Sequence, residues 1–271
     1  MKRRISRRDF LKRGAAWTLA GGIFIPQKLS AAVGSWNGVA FTAWNGIAQT
    51  AWNGTGISCA SGGASVAIDT TAKDGGTLLP NTSLTFDIAV ATNSNKCLLV
   101  FGGAGDATAA ERVITGVSSS LDDALTAVPS SSIASSDWVT ASAWYKVNPT
   151  VGTHTITITY TNVVDQGDGF ALSLYNVNQS TPFGTAVTAT GISTTATGSA
   201  TLASTEMLCA CICTDAAALT NTVGTRKQYD ANVGSDTTFE MGTNTGTGSI
   251  AYTSTLSSDD WVWCGVPVKS A

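Results

Sequence analysis

The sequence predicts an all-β protein, an antiparallel β-sandwich of the jelly-roll type preceded by a short eight-residue β repeat. Three observations predict it. Beyond the first 32 residues, apolar and polar side chains alternate at period two in run after run, and no long stretch keeps the 3.6-residue period of a helix. Thr, Ser, Ala, Gly and Val dominate the composition and only 12% of residues are charged. Clusters of Gly, Asn, Asp, Ser and Pro separate nearly all of the runs, as turns between short antiparallel strands do.

The chain opens on Ser6-Arg7-Arg8-Asp9-Phe10-Leu11-Lys12, followed by an apolar run over residues 14–26 and a small-residue site at Ser30-Ala31-Ala32. This pattern resembles a twin-arginine export signal. The apolar run is too short to span a bilayer comfortably, so a cleaved leader over 1–32 is expected, with an uncleaved anchor as the alternative. Export places the protein in the periplasm, at the cell surface or outside the cell.

Removal of residues 1–32 leaves seven basic against 17 acidic side chains, a net charge of −10 instead of the −3 of the full chain. Arg112 and Arg226 are then the only arginines. Such a chain has no cationic surface to neutralise phosphates, which argues against nucleic acid or anionic lipid as partners. The length of 33–271 suits one large β domain over 61–271, with 33–60 as a separate repeat.

That repeat reads Ser-Trp-Asn-Gly-Val-Ala-Phe-Thr over 35–42, Ala-Trp-Asn-Gly-Ile-Ala-Gln-Thr over 43–50 and Ala-Trp-Asn-Gly-Thr-Gly-Ile-Ser over 51–58. Each Asn-Gly (Asn37-Gly38, Asn45-Gly46 and Asn53-Gly54) is a type I′ turn signal, because both central positions of that turn need positive φ. Units this short cannot bury their own faces. Trp36, Trp44 and Trp52 are therefore expected to pack on the following domain or on other copies of the chain. The repeats resemble those preceding β domains in phage structural proteins and in large exported bacterial proteins. The resemblance implies a stalk or collar, with a homotrimer as one assembly; a local β-meander capping the main domain is the alternative.

In the main domain, strands are expected near 65–69, 83–91, 96–101, 112–118, 124–128, 138–147, 153–161, 170–177, 185–190, 206–214, 226–229, 249–255 and 261–268. The clearest pair is 143–147 with 154–160, a hairpin joined by Asn148-Pro149-Thr150-Val151-Gly152, with threonines on one face and Ile156, Ile158 and Tyr160 on the other. Three segments, 143–158, 171–182 and 260–268, together resemble a family of uncharacterised exported β-sandwich domains that read Trp-Tyr, Pro-x-x-Gly, a Gln-x-x-Pro segment and a late Trp. The resemblance implies a fold similar to concanavalin A-like lectin domains and brings no activity with it. Asn176 stands where glycine is common in that family.

Candidate chemistry is sparse. Cys209, Cys211 and Cys213 alternate on one strand face, about 7 Å apart. They read as small buried residues, with disulfides to strands carrying Cys97 or Cys264, or a metal site, as alternatives. His154, the one histidine, shares parity with Ile156 and Ile158 and reads as a core-edge residue more than a catalytic base. Glu111, Glu206 and Glu240 are scattered, without the close carboxylate pair of a glycosidase, so a carbohydrate-active enzyme is the runner-up reading. Asp165 and Asp168, in Asp-Gln-Gly-Asp-Gly, are expected in a loop, where calcium is the candidate ion and a plain turn the alternative. No other cofactor is expected. Trp138, Trp144, Tyr145, Trp261 and Trp263 are candidate stacking platforms for a glycan, with Trp138 the best exposed. The reading is an exported, non-enzymatic surface or structural module, adhesive or glycan-binding; the repeat alone suggests a virion-type structural protein as a further alternative.

Overall fold

The computed structural model describes residues 18–19, 22–23, 48–52, 57–60, 64–73, 78–105, 113–135, 138–215, 217–233 and 237–271. Two compact units divide the chain. The first, Met1–Gly62, contains two short antiparallel pairs, β1 (Thr18–Leu19) with β2 (Gly22–Ile23) and β3 (Ala48–Trp52) with β4 (Ile57–Ala60). Trp52 lies opposite Ile57 in the second pair. The rest of the export signal, Trp36-Asn37-Gly38, Trp44-Asn45-Gly46 and Asn53-Gly54 lie outside the described residues.

The second unit, Gly63–Ala271, is all strand and turn among the described residues. Its first half runs β5 (Ala67–Lys73), β6 (Leu78–Val90), β7 (Cys97–Gly105), β8 (Ile114–Ser119), the short β9 (Asp123–Ala124), β10 (Thr126–Ala127) and β11 (Ile133–Ala134), then β12 (Val139–Val147) and β13 (Gly152–Tyr175). Its second half runs β14 (Val187–Leu202), β15 (Met207–Asp215), β16 (Thr220–Val223), β17 (Thr225–Val233), β18 (Thr237–Thr245) and β19 (Gly248–Val268). All pairings are antiparallel, in a nine-stranded sheet built on β13 and a six-stranded sheet built on β19.

β13 and β19 organise everything else. The start of β13 pairs with β6 and β8, its end pairs with β7 and β5, and the register shifts between Thr159 and Gln166. Such irregularities bend a strand. The bend lays the first half of β13 over the second: a Cβ on Gly169 would come within 2.8 Å of Ile158 and 2.5 Å of Phe86. β19 behaves alike, pairing with β14 throughout, with β16 near its start and with β15 near its end.

The two halves thus share one pairing scheme. β13 joins β6, β8 and β7, and β7 joins β12; β19 joins β14, β16 and β15, and β15 joins β18. Register makes Leu99 and Phe101 the counterparts of Cys209 and Cys211, and Phe170, Leu172 and Leu174 the counterparts of Cys264, Val266 and Val268. All ten enter one buried cluster shared by the two sheets. The opposite faces support two further clusters, one around Leu84, Phe86, Ile156 and Ile158 in the first half, the other around Ala196, Ala200, Tyr252 and Trp263 in the second.

The expected hairpin does not form, because β7 lies between β12 and β13 and pairs with both, while the alternation within β13 holds: Ile156, Ile158 and Tyr160 are buried on one face and Thr155 and Thr159 exposed on the other. Several expectations are corrected. Segments 153–161 and 170–177 are one continuous strand, as are 249–255 and 261–268, and 185–190 extends to Leu202. Asp259 and Asp260 lie inside β19. β18 was not foreseen, because Thr-Thr-Phe-Glu-Met-Gly-Thr buries both faces and so shows no alternation.

Candidate functional site

The five aromatic candidates divide between surface and core. Trp138 is 44% exposed and precedes β12. Ser135 fixes its backbone: the Ser135 Oγ accepts hydrogen bonds from Trp138 N at 3.1 Å and Val139 N at 3.0 Å. Trp144 is half-buried against the first outer cluster, and its Nε1 donates to Ser142 Oγ at 3.1 Å. Tyr145 faces the other way, edge-on to Phe183 with ring centroids 4.8 Å apart and planes at 84°, beside the shared cluster. Trp261 and Trp263 are buried, donating to Ser193 Oγ at 3.0 Å and Tyr252 O at 3.1 Å. Packing has taken their ring faces, so neither is a surface platform; Trp138 alone of the five stands open.

The expected calcium loop is not a loop. Asp165 and Asp168 lie within β13, three residues apart, where alternation sends them to opposite faces. Asp165 is exposed, whereas Asp168 is 1% exposed and accepts from Gly169 N at 2.7 Å. The pair cannot converge on one ion.

His154 is fully buried. Its Nε2 lies 2.7 Å from the Thr150 carbonyl, which can only accept, so that nitrogen carries a proton, and Nδ1 is hydrogen-bonded to Ser119 Oγ at 2.6 Å. Asp122 Oδ2 is 3.7 Å from Nδ1 and also receives Thr150 N at 3.0 Å. Serine, histidine and aspartate are therefore neighbours, yet Ser119 and His154 are both sealed from solvent and the cluster ties the β12–β13 connection to β8. Their role is to hold that turn.

Sequence reasoning missed a charged network on the second half. Glu240, in β18, is fully buried and accepts from Tyr252 Oη at 2.5 Å, from Ser254 Oγ at 2.6 Å and from Arg226. Arg226 also donates to the Leu219 carbonyl at 2.7 Å and stacks 4.2 Å from the Tyr229 ring centroid. Burial, reinforced by the Glu240 charge, raises the Tyr252 pKa far above its ordinary value of 10.0. Only the strand register brings these residues together, and a single sequence does not print register.

Cys97, Cys209, Cys211, Cys213 and Cys264 are free thiols, all buried in the shared cluster. Burial pushes Cys209 and Cys264 up to about 12 from the ordinary 9.0, and Cys97, Cys211 and Cys213 also upward. This is the small-residue reading of the sequence; the disulfide alternative to Cys97 or Cys264 is not what the structure contains.

Where the shared cluster reaches the edge between β5 and β17, it opens into a groove of about 370 Å³. Val66, Ile68 and Met207 supply its apolar lining, and Thr225, Lys227 and Thr243 its polar lining. Arg226 pairs with Gly242 and Gln228 with Met241, which leaves Lys227 as the extra residue of a bulge, a device that re-aims a side chain.

No family model, no curated protein and no solved structure matches this chain.

Proposed function

We propose that the chain is an exported, non-enzymatic surface or structural module whose second unit is a β-sandwich that binds a glycan or surface polymer. The observation that carries the reading is the contrast among its polar and aromatic groups. His154, Glu240 and the five thiols are locked in buried packing, while Trp138 presents an open indole on a backbone fixed by Ser135. Indole faces stack on pyranose rings, and a fixed backbone reduces the freedom lost on binding. With seven basic against 17 acidic side chains after residue 32, the chain has no extended cationic surface of the kind nucleic acid requires, which leaves a hydroxyl-rich partner.

A glycan array probed with residues 33–271, with calcium and with chelator, tests this. Reproducible binding to one glycan class, lost in Trp138→Ala, is the expected result. A blank array from folded protein would leave the module without a glycan and favour a purely structural role. Deleting residues 35–58 tests the stalk: the mass in solution should fall to that of a monomer, and an unchanged mass would reduce the repeat to a cap.

A further inference from the structure

The internal duplication exposes one position that the two halves treat in opposite ways. In the first half, β12 carries Tyr145 and Val147 on the face of the shared cluster, and Phe183 packs against Tyr145. Register makes Thr243 and Thr245 of β18 their counterparts. There the aromatic plug is replaced by threonines, and the space it would fill is the groove beside Lys227.

The groove is polar in a specific way. The hydroxyls of Thr225 and Thr243, register partners on β17 and β18, have no hydrogen-bond partner among the described residues. Lys227 has no ion-pair partner among them either, although Lys73 and Arg226 pair with Asp230 and Glu240. Lys227 is half-buried and lines the groove from the β17 bulge. An unpaired cation in the lining, open hydroxyls beside it and the apolar side chains of Val66, Ile68 and Met207 match a sugar ring that carries a carboxylate: the carboxylate meets Lys227, ring hydroxyls meet Thr225 and Thr243, and ring carbons cover the apolar side chains. The volume, about 370 Å³, lies within the ordinary range for a small-molecule site.

We propose that this groove is a binding subsite for an acidic saccharide unit of the uronate type. The proposal rests on the glycan reading above for its ligand class, but it places recognition on residues separate from Trp138. Calorimetric titration of residues 33–271 with a galacturonate trimer tests it, with a galactose trimer as the uncharged control. The acidic trimer should bind and the neutral one should not. Lys227→Gln should weaken binding about tenfold and Lys227→Arg should largely preserve it, because the lost contact is charge-assisted. Thr243→Tyr, which installs the residue the first half already carries at this position, should abolish binding with the melting transition unchanged. No binding of the acidic trimer, equal binding of both trimers, or indifference to Lys227→Gln would overturn the proposal. Trp138→Ala separates the two sites: binding of the acidic trimer that survives it, alongside a blank glycan array, would sink the Trp138 surface and keep the groove, whereas loss of binding in Trp138→Ala would overturn the groove.

Discussion

The two halves of the second unit pack equivalent positions with opposite volumes. In the first half, Phe86 of β6 lies over Gly169 of β13. The counterparts in the second half are Gly198 of β14 and Trp263 of β19, and there the large ring comes from the other strand: a Cβ on Gly198 would meet the Trp263 indole. The halves differ in polarity as well. The first outer cluster is built on Ile156 and Ile158, whereas Ser142 corresponds by register to Glu240, which gathers Tyr252 and Ser254 in the second half. One pairing scheme therefore supports an apolar outer layer in one half and a charged, hydrogen-bonded one in the other. Backbone pairing carries the duplication, and side-chain volume needs only to be conserved across each contact.

Breaking that conserved volume should produce the largest effect. Trp263→Ala removes a fully buried indole and its hydrogen bond to Tyr252 O, at a cost of about 3–5 kcal/mol in urea denaturation. Gly198→Phe alone should also destabilise, because the ring has no space beside Trp263. Gly198→Phe with Trp263→Gly recreates the arrangement of the first half, and should be more stable than the sum of the single losses predicts; strict additivity would show that the two positions do not share one volume.

Next comes the charged layer. Glu240→Ala strands Arg226 without its carboxylate and removes the acceptor of Tyr252 and Ser254, so about 3–5 kcal/mol should be lost. Tyr252→Phe deletes one of those hydrogen bonds and should cost about 1–3 kcal/mol. A loss for Glu240→Ala no larger than that for Tyr252→Phe would mean that the network is not cooperative. Ser142→Ala at the corresponding site of the first half, where only a Trp144 hydrogen bond is at stake, should cost far less.

Alkali should find the thiols. Cys209 and Cys264 titrate near 12 in the fold against an ordinary 9.0, and Tyr252 is shifted in the same direction. Unfolding lets these groups release protons that the fold retains. Their stabilising contribution is thus complete below pH 9 and is lost progressively as pH rises from there toward 12. Urea midpoints should fall over that window, and less so in Cys209→Ala. A thiol reagent at neutral pH should leave all five described thiols unmodified until denaturant is added, because buried, protonated sulfur is a poor nucleophile.

The all-β class, the two faces of 154–160 and the inward parity of Cys209, Cys211, Cys213 and His154 were legible because alternation at period two is a local signal, whereas the expected pairing of 143–147 with 154–160 was wrong because β7, distant in sequence, inserts between them. The duplication was not, because Phe86/Gly169 and Gly198/Trp263 preserve a volume and not a residue. Asp165 and Asp168 were misread as loop because Gly-rich sequence marks a turn and a bent strand alike, and here Gly169 is required by the Phe86 ring above it. Of the candidate sites, Trp138 was visible as an aromatic at a strand start. Lys227 was invisible, since a bulge that re-aims one side chain leaves no mark in a single sequence.

The smallest effect belongs to the edge where β5 and β17 meet without backbone pairing. Side chains alone join β5 to β17 above the groove: Lys73 to Asp230 at 3.2 Å, and Gln228 Nε2 to Thr71 Oγ1 at 2.8 Å. Lys73 is 38% exposed, so solvent screens its ion pair, and Lys73→Ala should change stability by no more than about 0.5–1 kcal/mol, less still at high salt. Its other bond, to the Tyr229 carbonyl at 3.0 Å, is also open to water. A much larger loss would show that this edge, and not the shared apolar cluster, holds the two sheets together. If the change is as small as expected, the groove mouth can be altered residue by residue without cost to the fold, which makes the Lys227 variants clean probes of binding.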